Sequence, residues 1–144
     1  MGFVWILIAA LLALAWRNPE PLVFAAVAVF TADLLANGLK LLTDRPRPYV
    51  ANPDQDPLTR AVLEVSFPSG HAATAFAGAT ALARFLPRRA VPLYLLAAAI
   101  AWSRVYVGVH YVSDVLAGAG LGVATTLLLL RAIRRLSPRA RRAG

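Results

Sequence analysis

The chain has 144 residues, 59% of them hydrophobic, against roughly 45–50% in ordinary soluble domains, and this length leaves room for a single domain, 1–144. It carries 15 Lys and Arg against 7 Asp and Glu, a net charge of +8, yet the excess is almost all arginine beside apolar runs or in the tail, which fits membrane topology and not a nucleic-acid partner. With no cysteine and two histidines, disulfides, zinc–thiolate sites and iron–sulfur clusters held through Cys are excluded, and a transition-metal site is poorly served.

Five apolar segments follow in chain order. They are rich in Ala and Leu and lack strand alternation, which predicts an all-α, polytopic transmembrane bundle of about five membrane helices. The first runs from about Phe3 to Trp16. Ala13-Leu14-Ala15 resembles a signal cleavage site, but no Lys or Arg precedes the run, so it reads as a membrane helix. The second (about Leu22 to Leu42) and the fifth (about Tyr111 to Leu130) reach the roughly 20 residues that a hydrocarbon core of about 30 Å demands. The third (about His71 to Leu86) and the fourth (about Ala90 to Tyr106) are shorter, as is the first, and these need flanking residues or local thinning to span. Between the second and third lies a loop from about Thr43 to Gly70. Its Pro46, Pro48, Pro53, Pro57 and Pro68, with Asp44, Asp54 and Asp56, predict ordered extended and turn structure.

Arginine placement predicts the topology. Arg17, then Arg84, Arg88 and Arg89, then Arg131, Arg134, Arg135, Arg139, Arg141 and Arg142 fall on one side if all five segments span, and the positive-inside rule makes that side cytoplasmic. The C-terminus is then cytoplasmic, while the N-terminus, the long loop and the turn near Val107–His110 lie outside. Trp5, Trp16, Trp102, Tyr106 and Tyr111 sit near segment ends, as an aromatic belt does.

The outer side collects an unusual set of polar residues. Lys40, Arg47 and Arg104 bring three positive charges to one face; guanidinium forks match phosphate oxygens and Lys adds a point charge. Ser69 stands after Pro68 where a helix cap is wanted, so the first N–H groups of the third segment are available to an anion, and Gly70 permits close backbone approach. This is a phosphate cradle built without metal. His110 and Asp114 are spaced i, i+4, so that on a helix the carboxylate can hold one imidazole nitrogen and leave the other free to attack. His71 is the other group in the set suited to proton transfer near neutral pH, so one histidine can be the nucleophile and the other the general acid.

These residues resemble the signature of the type 2 phosphatidic acid phosphatase, or lipid phosphate phosphatase, superfamily: K-x6-R-P (Lys40, Arg47, Pro48), P-S-G-H (Pro68, Ser69, Gly70, His71) and S-R-x5-H-x3-D (Ser103, Arg104, His110, Asp114). The parts occur in order with the family's spacing, and the resemblance covers about Leu22 to Leu130. It implies that His110 is a nucleophile forming a phosphohistidine, that Asp114 orients it, and that His71 protonates the leaving oxygen and then activates water. It implies further that Lys40, Arg47, Ser69, the Gly70 amide and Arg104 hold the phosphate, with no metal and no cofactor. Arg45-Pro46 is a second Arg-Pro pair at the wrong distance from Lys40, so Arg45 is expected behind the clamp or on a headgroup. Members usually carry six transmembrane helices, one more than counted here.

The expected function is hydrolysis of a lipid phosphomonoester or pyrophosphate at the outer face of a bacterial inner membrane. Undecaprenyl pyrophosphate ranks slightly ahead of phosphatidic acid and phosphatidylglycerol phosphate as substrate. The competing class is a non-catalytic lipid-phosphate binding or transport protein, which keeps the clamp but has no need of both His110 and Asp114. The expected partners are the lipid phosphate and membrane lipids. Asp33, in mid-segment, shares a face with Asn37 and Lys40 and is expected to make a structural polar contact. Gly118 and Gly122 form a G-x-x-x-G expected to pack helices closely within the monomer.

Overall fold

The computed structural model describes residues 2–52, 54, 57–59 and 65–136. All regular structure among them is helical: α1 (Phe3–Trp16), α2 (Glu20–Lys40), α3 (Pro48–Ala51), α4 (Gly70–Phe85), a 3-10 turn (Pro87–Arg89), α5 (Ala90–Tyr106) and α6 (Val112–Leu136). The chain turns sharply after α1 because Arg17 adopts a left-handed conformation (φ 51°) and the Asn18 N–H returns to the Ala13 carbonyl at 3.0 Å. The Asn18 side chain then accepts the Glu20 N–H at 3.0 Å, and Pro21 in the first turn of α2 costs no helical hydrogen bond.

Helix α4 is the hub, packed against α1, α2, α5 and α6. Its buried residues are Ala, Gly and Thr apart from Leu82, so neighbouring backbones come close to it from all sides. The α6 seam is the tightest. A Cβ on Gly118 would collide with the Ser69 carbonyl oxygen, and one on Gly122 with that of Ala73. The expected G-x-x-x-G packing is therefore intramolecular. Gly78, on another face of α4, makes room for the ring of Trp5, which is fully buried. At the end of α4 away from Ser69, Arg84 pairs with Glu20 at 2.8 Å and lies over Phe24 and Phe85.

The outer surface is apolar. Phe3, Leu7, Leu11 and Leu14 point outward along α1, and Val23, Val27, Phe30 and Leu34 along α2; Leu116, Leu127 and Leu128 do so on α6. A soluble monomer rarely exposes such continuous stripes. Two helices, α2 with 21 residues and α6 with 25, are long and apolar enough to cross a membrane. The other long helices, α1, α4 and α5, have 14, 16 and 17 residues.

Several boundaries differ from the sequence expectation. Helix α6 continues past Leu130 through Arg131, Arg134 and Arg135 to Leu136, because arginine is a good helix former that keeps its head in water while its stem covers apolar surface. It begins at Val112, so His110 lies in the turn before the helix instead of on it. Helix α3 was not anticipated; Pro48 starts it within the Pro-rich loop. Pro53, Asp56, Arg139, Arg141 and Arg142 lie outside the described residues.

Candidate active site

The sequence-predicted residues come from the ends of α2, α4, α5 and α6 and the connections beside them. Ser69 caps α4, its hydroxyl accepting the Ala72 N–H at 3.5 Å. Its own N–H donates to the Asp114 carbonyl at 3.0 Å, which ties the start of α4 to the start of α6. Gly70 and His71, both half-buried, follow in the first turn of α4. His71 is within electrostatic reach of Arg104, His110 and Lys40. Arg104, half-buried near the end of α5, donates through Nε and a terminal nitrogen to the Ser103 hydroxyl at 3.0 and 2.9 Å, and its carbonyl accepts the N–H groups of Val109 and His110. Lys40 occupies the last turn of α2, half-buried.

His110 is 4% exposed. Its Nδ1 faces Asp114 Oδ2 at 3.5 Å and the Ser66 hydroxyl at 3.4 Å. A carboxylate only accepts, so the proton belongs on Nδ1 and the lone pair on Nε2. The Nε2 atom lies 3.5 Å from a terminal nitrogen of Arg47, which is itself buried and donates to the Val109 carbonyl at 2.9 Å. Burial and then the Arg47 charge push the His110 pKa down to about 4, against a weaker upward pull from Asp114. Near neutral pH the ring is therefore uncharged, with Nε2 beside a guanidinium.

Asp114 is fully buried, and both its oxygens are engaged. Oδ2 accepts the Ser66 hydroxyl and the Tyr111 N–H, the latter at 2.9 Å, so the carboxylate also caps α6. Oδ1 accepts Arg45 at 2.7 Å. Arg45 thus lies behind the clamp, the first of its two expected places: it pairs with the carboxylate behind His110, touches the Ser113 hydroxyl at 2.8 Å and stacks over Tyr111, 4.3 Å from its centroid.

Ser66 was missed in sequence. A serine three residues before a cap carries no signal until the chain returns it to α6. Asp33 makes the expected polar contact, accepting from Asn37 at 3.2 Å. Its other oxygen faces Gly70, where an added Cβ would stand 3.8 Å away.

An all-helical membrane protein with an imidazole–carboxylate pair set against a capped helix start is the class this geometry defines. The chain belongs to the PAP2 superfamily, whose model matches residues 21–138. Among curated relatives it is 30% identical over 121 residues to the bacitracin transport permease protein BcrC of Bacillus licheniformis, covering 84% of this chain and 60% of that one. It is 34% identical over 122 residues to the undecaprenyl-diphosphatase of Sulfolobus acidocaldarius, covering 83% and 59%. The chain thus spans about 60% of the length of these relatives. Among solved structures, LpxE of Aquifex aeolicus superposes with a TM-score of 0.75 at 30% identity, covering 90% of this chain and 81% of that one.

Proposed function

We propose that residues 1–144 form one membrane-embedded phosphatase domain that hydrolyses a lipid phosphomonoester or pyrophosphate without metal. The observation that carries this reading is His110, held at Nδ1 by Asp114 and Ser66 with Nε2 directed toward Arg47. Nε2 attacks the terminal phosphorus in line with the leaving oxygen, and the P–O bond to the lipid alcohol, or to the lipid monophosphate of a pyrophosphate, breaks as the P–N bond forms. His71 gives its proton to that oxygen. It then takes a proton from water, which attacks the phosphohistidine, releases phosphate and restores His110. Lys40, Arg47, Arg104, Ser69 and the Gly70 amide hold the phosphoryl oxygens throughout, where developing charge is best stabilised by fixed donors.

Undecaprenyl pyrophosphate is the preferred substrate, supported by the similarity to an undecaprenyl-diphosphatase. Phosphatidic acid and phosphatidylglycerol phosphate follow. The site opens on the outer face of a bacterial inner membrane, with five helices spanning and the C-terminus in the cytoplasm. Apolar outward faces on α1, α2 and α6 and the arginine placement support that arrangement.

Phosphate release from the three lipids in detergent tests the reading. The wild-type protein is expected to turn over at least one of them with EDTA present. His110→Ala is expected to lose on the order of a thousandfold or more in kcat, as loss of a nucleophile does. A second reading, lipid-phosphate binding or transport, is favoured by the similarity to a transport permease protein. Saturable lipid binding with no phosphate released by the wild type would select it. Inhibition by EDTA that Mg²⁺ reverses would instead contradict the metal-free scheme.

A further inference from the structure

One charged side chain in the site is unused by the scheme above. Arg45 meets Asp114 Oδ1 at 2.7 Å, on the oxygen turned away from His110. We infer that Arg45 is a positioning residue for the proposed reaction, fixing the Asp114 carboxylate and sharing its charge so that the imidazole it holds stays oriented for attack. The inference deepens the phosphatase reading and rests on it.

The arrangement makes Arg45 a fixed part. Its guanidinium is held by the Ser113 hydroxyl and the Tyr111 ring as well as by Asp114. Its carbonyl accepts the Ser66 N–H at 2.9 Å, and the Ser66 hydroxyl in turn binds Asp114 Oδ2. One residue therefore governs both carboxylate oxygens, Oδ1 directly and Oδ2 through Ser66. A fully buried carboxylate paired with a guanidinium at one oxygen depends heavily on that neighbour for its charge balance.

The groups around His110 show why this matters. Arg47 faces it from the connection before α3, His71 from α4, Ser66 from the connection into α4 and Asp114 from α6; Arg104 of α5 meets it through a carbonyl. Of these, Asp114 is the one whose charge favours protonating the ring. With Arg45 in place that charge is divided between a guanidinium and an imidazole. Without it, more of that pull falls on His110 and Oδ1 loses its partner, leaving the carboxylate held through Oδ2 alone.

The test compares wild type with Arg45→Met and Arg45→Lys, full length and in detergent, by steady-state kinetics on dioleoyl phosphatidic acid and by NMR titration of ¹⁵N-labelled histidine. Two histidines give two ring signals, and His71→Gln identifies which is which. In Arg45→Met the kcat is expected to fall about tenfold to a hundredfold with KM within about threefold, and the His110 titration to move up by about one unit. Arg45→Lys is expected to recover most of both. If Arg45→Met does not fold, Arg45→Gln, which keeps a hydrogen bond without the charge, carries the same expectation. A raised KM with kcat retained would place Arg45 on the substrate instead. An unmoved titration and unchanged kcat would reduce the ion pair to packing. The titration needs no turnover, so a wild type inactive on every lipid sinks the phosphatase reading while the coupling through Asp114 is still decided.

Discussion

A histidine can attack phosphorus only through an unprotonated nitrogen, and His110 meets that demand by being buried beside Arg47. Its pKa of about 4 gives a pH prediction with a definite sign. The protonated fraction grows only as pH falls toward about 4, so the acid limb of kcat/KM for the free enzyme is expected there and not near the 6.5 of an ordinary imidazole. A pH–rate profile with a lipid whose phosphate ionisation is independently known checks it; an acid limb centred at 6 or above would show that the ring is charged when it binds substrate. The proposed site residues stood out in sequence through the cap position after Pro68, a carboxylate four residues past His110, the cations Lys40, Arg47 and Arg104, and the resemblance of their spacing to the family signature. Ser66 and the pairing of Arg45 were not legible. Both depend on the loop after α2 folding back onto α6, a long-range approach with no local pattern.

Among the elements, α4 and α6 set the distance between the Ser69 cap and the turn that carries the proposed nucleophile His110. Gly118→Ala drives a methyl group into the Ser69 carbonyl, whereas a Cβ on Gly120 meets nothing within 4 Å. Gly118→Ala is therefore expected to cost about 1–3 kcal/mol of stability and to lower kcat by displacing the cap. Gly120→Ala is expected to be neutral or slightly stabilising. Thermal unfolding in detergent with parallel kinetics checks both, and equal behaviour of the two variants would refute the seam. All five long helices were readable from apolar run lengths and the absence of alternation. Helix ends were less so. The start of α6 is set by the local Asp114 cap on the Tyr111 N–H, which leaves His110 in the turn, and the short α3 is set by Pro48 inside a loop with no apolar period.

For the whole molecule, the absence of cysteine makes the proposed topology directly testable, because an introduced thiol has no background. Asp44, exposed after α2, and Arg88, exposed in the 3-10 turn after α4, lie on opposite sides in the five-span arrangement. In intact cells a membrane-impermeant maleimide is expected to label Asp44→Cys, and Arg88→Cys only after permeabilisation. The reverse pattern would put the site in the cytoplasm. Bundle class and membrane character were plain from composition; which of the shorter helices span was not, since 14 to 17 residues fall at or below the length that decides the matter alone.

The glycine seam has a mechanical corollary. Main chain rests on main chain from Ser69 to Ala73 against Gly118 and Gly122, so the spacing between the start of α4 and α6 is set by peptide units and not by rotamers. A change in bilayer thickness is then expected to move α4 and α6 together before it separates them.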